Sequence, residues 1–237
     1  MFKIYSTRLV FRITVFVMML LIYFRDRSDL LISNGLSLAR GLRPLHVLWL
    51  ILAVEMAQKF FPRSIVSMGC RKQFKSNYAP SAHKPDRAEI VAWIRGEDGA
   101  AQKVFILWFG VNALLAVFYW LRIIGESELV LLSLLYYVCD LICVLFYCPF
   151  QSLIMKNRCC VTCRIFNWDS MMIITPLIFV RSLFSWSLAL VALLVLCRWE
   201  YVYRRHPQRF SEASNENLRC QHCQERICMM KRSLHFQ

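Results

Sequence analysis

Glycine is scarce in this chain, at seven of 237 residues, and acidic residues are few, with 15 Asp and Glu against 29 Lys and Arg. Few glycines argue against a nucleotide cradle, whose main chain must approach phosphates closely. No Gly-rich phosphate loop, His-Glu-x-x-His pair or nucleophile elbow is present, so the common signatures of nucleotide, zinc-peptidase and hydrolase chemistry are missing. Internal repeats and low-complexity tracts are absent too. No small-x-small site follows the first apolar stretch; Phe24-Arg25-Asp26-Arg27 stands there instead. The basic N-terminus (Lys3, Arg8, Arg12) is therefore expected to lead into a retained anchor rather than a removed signal peptide.

What fills the chain is apolar surface. Residues of the hydrophobic set make up 58%, charged residues only 19%, and mean hydropathy is +0.44, with 17 Phe, 9 Tyr and 7 Trp. A soluble globule of this length has too little interior to hide that surface, whereas lipid accommodates it. The formal charge of +14 then reads as loop lysines and arginines meeting anionic lipid headgroups, not as a nucleic-acid surface.

A helix crossing the hydrocarbon needs about 20 apolar residues. Five stretches qualify or nearly so, at about 4–24, 44–61, 104–121, 129–150 and 170–197. Arg8 and Arg12 weaken the first and are expected to snorkel to the headgroups. Pro44 suits the first turn of the second, and Pro62 closes it. The link Arg122–Glu128 is short, which makes the third and fourth stretches an antiparallel hairpin. Between the spans lies a polar region, 59–103. There, Asp86-Arg87-Ala88-Glu89 reads as a capped helix start. Ile90, Trp93 and Ile94 follow at helical spacing, and Gly96 is expected to end a short amphipathic helix on the membrane surface or on the protein's own loops.

Charge sets the expected orientation. The 59–103 region holds nine Lys and Arg and the tail 198–237 holds eight, while the 122–128 link holds one Arg and two Glu. The excess of positive charge places the first two in the cytosol and the link outside. One crossing by 170–197 would put the tail on the wrong side. Two short helices, about 165–180 and 182–199, turning near Arg181–Ser182, would return it and would lift Arg181 out of mid-bilayer. The expectation is an all-α polytopic membrane helix bundle of five or six transmembrane helices with a cysteine-rich cytosolic face. Residues 1–197 would form the helical domain and 198–237 a basic cysteine-containing tail, with N-terminus and tail on the cytosolic side of the plasma membrane.

Of the 11 cysteines, Cys139, Cys143, Cys148 and Cys197 lie in apolar stretches and read as small apolar filler. The other seven do not. Cys159, Cys160 and Cys163 form Cys-Cys-Val-Thr-Cys; Cys220, Cys223 and Cys228 form Cys-Gln-His-Cys-Gln-Glu-Arg-Ile-Cys; Cys70 sits in Met-Gly-Cys-Arg-Lys. Two Cys-x-x-Cys pairs, Cys160/Cys163 and Cys220/Cys223, supply four sulfurs suited to tetrahedral zinc or to an iron–sulfur centre. Cys159, Cys228 and Cys70 are reserve or second-site ligands. His222 lies inside the second pair and reads as a solvated loop residue unless a second metal needs it. The pairs can meet only beneath one leaflet, which the 165–199 hairpin permits and a single span forbids.

Ionisable residues within apolar stretches are costly and often functional. Glu55 has Lys59 four residues on, the favourable order for a local pair. Asp140 has no base at that spacing and needs a partner from another helix, with Asn112 or Arg181 the candidates, unless it is protonated. Three readings follow. The chain is a membrane protein with a cytosolic cysteine-ligated metal site, a membrane thiol–disulfide oxidoreductase using one Cys-x-x-Cys, or a small transporter or channel working through Asp140 and Glu55.

Overall fold

A computed structural model describes residues 2–32, 43–60, 73–81, 85–157 and 162–219. These residues are helical throughout, without a strand; the sole β feature among them is an isolated antiparallel bridge between Pro80 and Asn215. The main helices are α1 (Phe2–Arg25), α2 (Pro44–Phe60), α3 (Arg87–Trp120), α4 (Glu126–Leu145), α5 (Asp169–Ile174) and α6 (Leu183–Arg205). Four of them, α1, α3, α4 and α6, are long and apolar enough to cross a membrane. Helix α2, at 17 residues, is marginally short.

Helices α1 and α4 pack antiparallel. At one end the Tyr23 hydroxyl donates to Glu128 Oε1 at 2.6 Å, and at the other Tyr5 packs on Leu141, Val144 and Leu145. Helices α2 and α6 run in the same direction. Trp49 Nε1 donates to Ser187 Oγ at 2.9 Å near their starts, and Arg198 donates to the Phe60 carbonyl near their ends. The bundle therefore has two ends. One carries the α3–α4 link and Arg181; the other carries residues 73–81, 162–168 and 206–219.

Asp86 caps α3, as its sequence position suggests, its carboxylate accepting from the Arg87 N–H at 2.7 Å. The helix does not stop at Gly96, however, but runs unbroken for 34 residues to Trp120. Gly96 and Gly99 have open space where a Cβ would sit, so they mark neither a tight approach nor a left-handed cap. The surrounding Arg95, Glu97, Ala100, Ala101 and Gln102 are good helix formers that carry the helix through. Its real end is a Schellman turn: Ile123 N–H bonds the Phe118 carbonyl and Arg122 N–H bonds that of Tyr119, both at 3.0 Å, with Arg122 left-handed at φ 58°.

The last apolar stretch is two segments. A broken helix rises through Phe166–Trp168, α5 and a 3₁₀ turn at Thr175–Phe179. The chain then reverses at Val180–Ser182. Ser182 caps α6 by accepting from Phe184 N–H, and its hydroxyl donates to the Ile32 carbonyl at 3.0 Å. Arg181 is exposed at this turn. Pro176 lacks the N–H that a continuous helix would need, which accounts for the change from α to 3₁₀ geometry.

The main core gathers Leu48, Leu52, Leu134, Tyr137, Ile174, Leu177, Phe184 and Leu188. Phe11, Leu21, Phe105, Ile106, Phe109, Trp120, Leu190 and Leu194 face outward. An apolar exterior this broad suits lipid. Inside such a bundle, packing and polar bonds rather than escape from water decide which faces meet.

Candidate membrane-embedded ionic site

Arg12 lies roughly 15 Å along α1 from its start at 1.5 Å per residue. It does not snorkel; its side chain is 4% exposed. Nη1 donates to Asp140 Oδ2 at 2.8 Å and to the Tyr137 carbonyl at 2.6 Å, and Nη2 donates to Glu55 Oε2 at 2.9 Å. The guanidinium carbon stands 4.1 Å from the centroid of the Tyr137 ring. The Tyr137 hydroxyl donates to the other Glu55 oxygen at 2.5 Å. One planar fork thus joins α1, α2 and α4, a task for which arginine is better shaped than lysine. Two carboxylates supply counter-charge within reach, so the side chain has no need to stretch toward headgroups.

Glu55 accordingly does not pair with Lys59. Lys59 instead donates to Asp169 and, at 2.9 Å, to Ser170 Oγ, tying the end of α2 to α5. Asp140 does receive its partner from another helix, but the partner is Arg12. Asn112 turns back on its own helix, its Nδ2 donating to the Trp108 carbonyl at 2.8 Å. Arg181 sits at the far end of the bundle.

Asp140 keeps 20% of its side-chain surface accessible and Asp169 keeps 12%, and both line a half-open cavity of about 140 Å³. Trp108, Tyr136 and Phe150 wall it, with ring centroids 4.9 Å apart for Trp108–Tyr136 and 6.2 Å for Trp108–Phe150. Cys139, Cys143, Cys148 and Cys163 also face it. Three of the cysteines read as filler therefore share a wall with one read as a ligand. Cys163 is buried among Ala101, Val104, Met155 and Ile165. Among the described residues no group of three or more His, Cys, Asp and Glu is disposed to hold a metal ion. The other expected ligands, Cys70, Cys159, Cys160, Cys220, Cys223 and Cys228, and with them His222, lie outside the described residues.

A second charged cluster joins residue 164 to α6. Arg164 forks onto Glu200, Nη1 and Nη2 each 2.6 Å from a carboxylate oxygen, and its Nε lies 3.3 Å from Asp98 of α3. Trp168 Nε1 donates to Glu200 at 2.7 Å, and the guanidinium lies 3.8 Å from the Tyr203 ring centroid.

Sequence reasoning singled out Glu55 and Asp140 and offered Lys59 as the partner of Glu55, but missed Arg12, Tyr137 and Asp169. The available signal was a charge count: one deep arginine and two deep carboxylates in three separate apolar runs.

The class that fold and site define is an all-helical protein with four helices able to cross a membrane and a charged cluster between its helices. No family model, curated protein or solved structure matches this chain.

Proposed function

We propose that this chain is an integral membrane protein of six embedded helices that passes protons or another small cation, with or without a small solute, through the cavity beside Asp140. The single observation that carries this reading is the charge of the cluster. Among the described residues Glu55, Asp140 and Asp169 are joined to two bases, Arg12 and Lys59, so with all five ionised the cluster holds one excess negative charge. In a low-dielectric interior that excess calls for a cation, and the cavity gives one access to two of the three carboxylates. At about 140 Å³ the chamber is close to the ~150 Å³ that holds a benzene-sized guest. The six helices of this reading are the four long ones, α2, and the broken helix 166–179. The excess of Lys and Arg at the end carrying residues 73–81 and 206–219 supports placing that end in the cytosol.

The test uses full-length protein in liposomes loaded with a pH-sensitive dye, with a potassium gradient and valinomycin setting the potential. Protein-dependent proton entry is expected. Asp140→Asn and Asp169→Asn should each slow it on the order of tenfold or more, as loss of an obligatory carrier group does, while Cys220→Ser leaves it unchanged. Flux no greater than in protein-free liposomes, or flux indifferent to both Asp variants, would sink the reading.

A separate observation favours a second role, a cysteine-ligated zinc clasp or iron–sulfur centre near the tail. Residues flanking the three cysteine stretches are held near one another. Asn167, four residues past Cys163, donates to Gln73, three past Cys70, at 3.5 Å; Arg219, just before Cys220, donates to Ser81 Oγ at 2.8 Å. The ligands of this role are Cys160, Cys163, Cys220 and Cys223, with Cys159, Cys228 and Cys70 in reserve. Elemental analysis of the purified chain is expected to find about one zinc, or iron with a brown colour, per chain. The metal should be lost in Cys220→Ser/Cys223→Ser. A metal-free wild-type preparation made under reducing conditions rules this role out.

A further inference from the structure

Where α2 and α6 end side by side, a cleft of about 540 Å³ opens, lined by Lys59, Lys75, Arg198 and Arg209 against a wall of Phe74 and Trp199. Among the described residues no acidic side chain lines it. Lys59 is neutralised by Asp169. The other three bases are not. Arg198 donates to the neutral Phe60 carbonyl and lies over the Phe60 ring, 5.3 Å from its centroid. Among the described residues no carboxylate forms an ion pair with Lys75, Arg198 or Arg209. The stacked Phe74 and Trp199 rings, 5.3 Å apart, present a low-dielectric wall that concentrates the field of these charges in the cleft. His206, just beyond α6, registers the same field. Its imidazole is held below the ordinary range by partial desolvation and by the positive charges of Arg209, Arg205 and Lys75.

We infer that this cleft binds a phosphate group carried on an organic molecule, with Lys75, Arg198 and Arg209 as its ligands. Phosphate matches the donors: arginine offers a planar fork, and lysine a point charge. The size suits a ligand larger than bare phosphate, because 540 Å³ falls within the range of about 300–1,000 Å³ typical for organic ligands. The aromatic wall suits the organic part. The depth suits a lipid. Lys59 lies in the last turn of α2, and Arg198 lies beside the same helix end, where an apolar bundle meets headgroups. A free phosphorylated metabolite offers the same chemistry, and experiment separates the two. The inference is separable from the cation pathway: none of its three ligands, Lys75, Arg198 and Arg209, lines the cavity, and Lys59, which borders the cleft, is already paired with Asp169.

The full chain, purified in uncharged detergent, is titrated calorimetrically with short-chain phosphatidylglycerol, short-chain phosphatidylcholine and inorganic phosphate. Saturable binding of phosphatidylglycerol in preference to phosphatidylcholine is expected, weakening with salt. Lys75→Gln and Arg209→Gln should each weaken it on the order of tenfold, the factor carried by one charge-assisted hydrogen bond. Arg181→Gln, at the opposite end of the bundle, should leave it unchanged. Unaltered melting temperatures would show that the exposed Lys75 and half-buried Arg209 act on binding and not on folding. If inorganic phosphate binds with the same variant sensitivity while the lipid does not, the site stands and its occupant is a soluble phosphate compound. Binding of neither, or equal binding by wild type and both variants, overturns the inference.

Discussion

Arg12→Met is expected to lower the unfolding free energy in detergent by ~3–5 kcal/mol, as when one member of a buried ion cluster is removed and its partners remain. The substitution fills similar volume but leaves Glu55 and Asp140 facing one another across the space between α2 and α4, without the guanidinium that bridges them. The damage is predicted to come from stranded carboxylates rather than from lost packing, and this gives the test its second arm. In the triple variant Arg12→Met/Glu55→Gln/Asp140→Asn no charge is stranded, and most of the lost stability should return, since apolar or neutral replacement of a whole buried cluster is often close to neutral. Arg12→Lys should fall between, because one ammonium cannot reproduce a fork whose two nitrogens serve different helices. Chemical denaturation followed by circular dichroism measures all three. A triple variant no more stable than Arg12→Met would mean that the guanidinium matters for its shape and stacking on Tyr137, not for its charge.

The contrast between Arg12 and the last apolar stretch shows what was legible before any coordinates. The reversal at Val180–Ser182 could be read from charge alone, because a basic tail and a basic 59–103 region belong on one side and chain length leaves room for two short segments. That argument needs totals, not partners. Arg12 needs partners. Periodicity in α1 says that residue 12 lies within an apolar helix but not which neighbour it faces, and the sequence leaves both snorkelling and burial open to an arginine ten residues into that helix. Likewise Glu55 had a plausible local partner in Lys59 at the right spacing, and only the approach of α5 shows that Asp169 claims it. Gly96 misled for a third reason. Glycine's weak helix propensity, about 1 kcal/mol against alanine, is outweighed by the remaining 33 positions of α3. The cavity was invisible because its walls come from α3, α4, the turn after Pro149 and the 163–173 segment; taken singly, Cys139, Cys143 and Cys148 looked like filler and Cys163 like a metal ligand.

The second large effect is expected at Arg164. Arg164→Gln should cost ~2–3 kcal/mol, less than Arg12→Met because it strands one part-buried carboxylate, Glu200, rather than two, its other partner Asp98 being 51% exposed. The cost should be graded by partner. Glu200→Gln should lose nearly as much, since it removes one of the two 2.6 Å bonds, takes the charge from the other and leaves the buried Arg164 without its main counter-charge. Asp98→Asn should lose ~0.5 kcal/mol or less, because that carboxylate is 51% exposed and 3.3 Å away, the regime of a surface pair. The double variant Arg164→Gln/Glu200→Gln should be little worse than either single one, giving a coupling energy on the order of 2 kcal/mol. Additive losses in that cycle would show that the two side chains act through separate contacts. The grading bears on the cavity as well. Arg164 fastens to α6 the stretch that carries Cys163, Ile165 and Phe166 into the cavity wall. Arg164→Gln is therefore expected to expose the Cys163 thiol to alkylation faster than in the wild type, whereas Asp98→Asn should leave its rate unchanged.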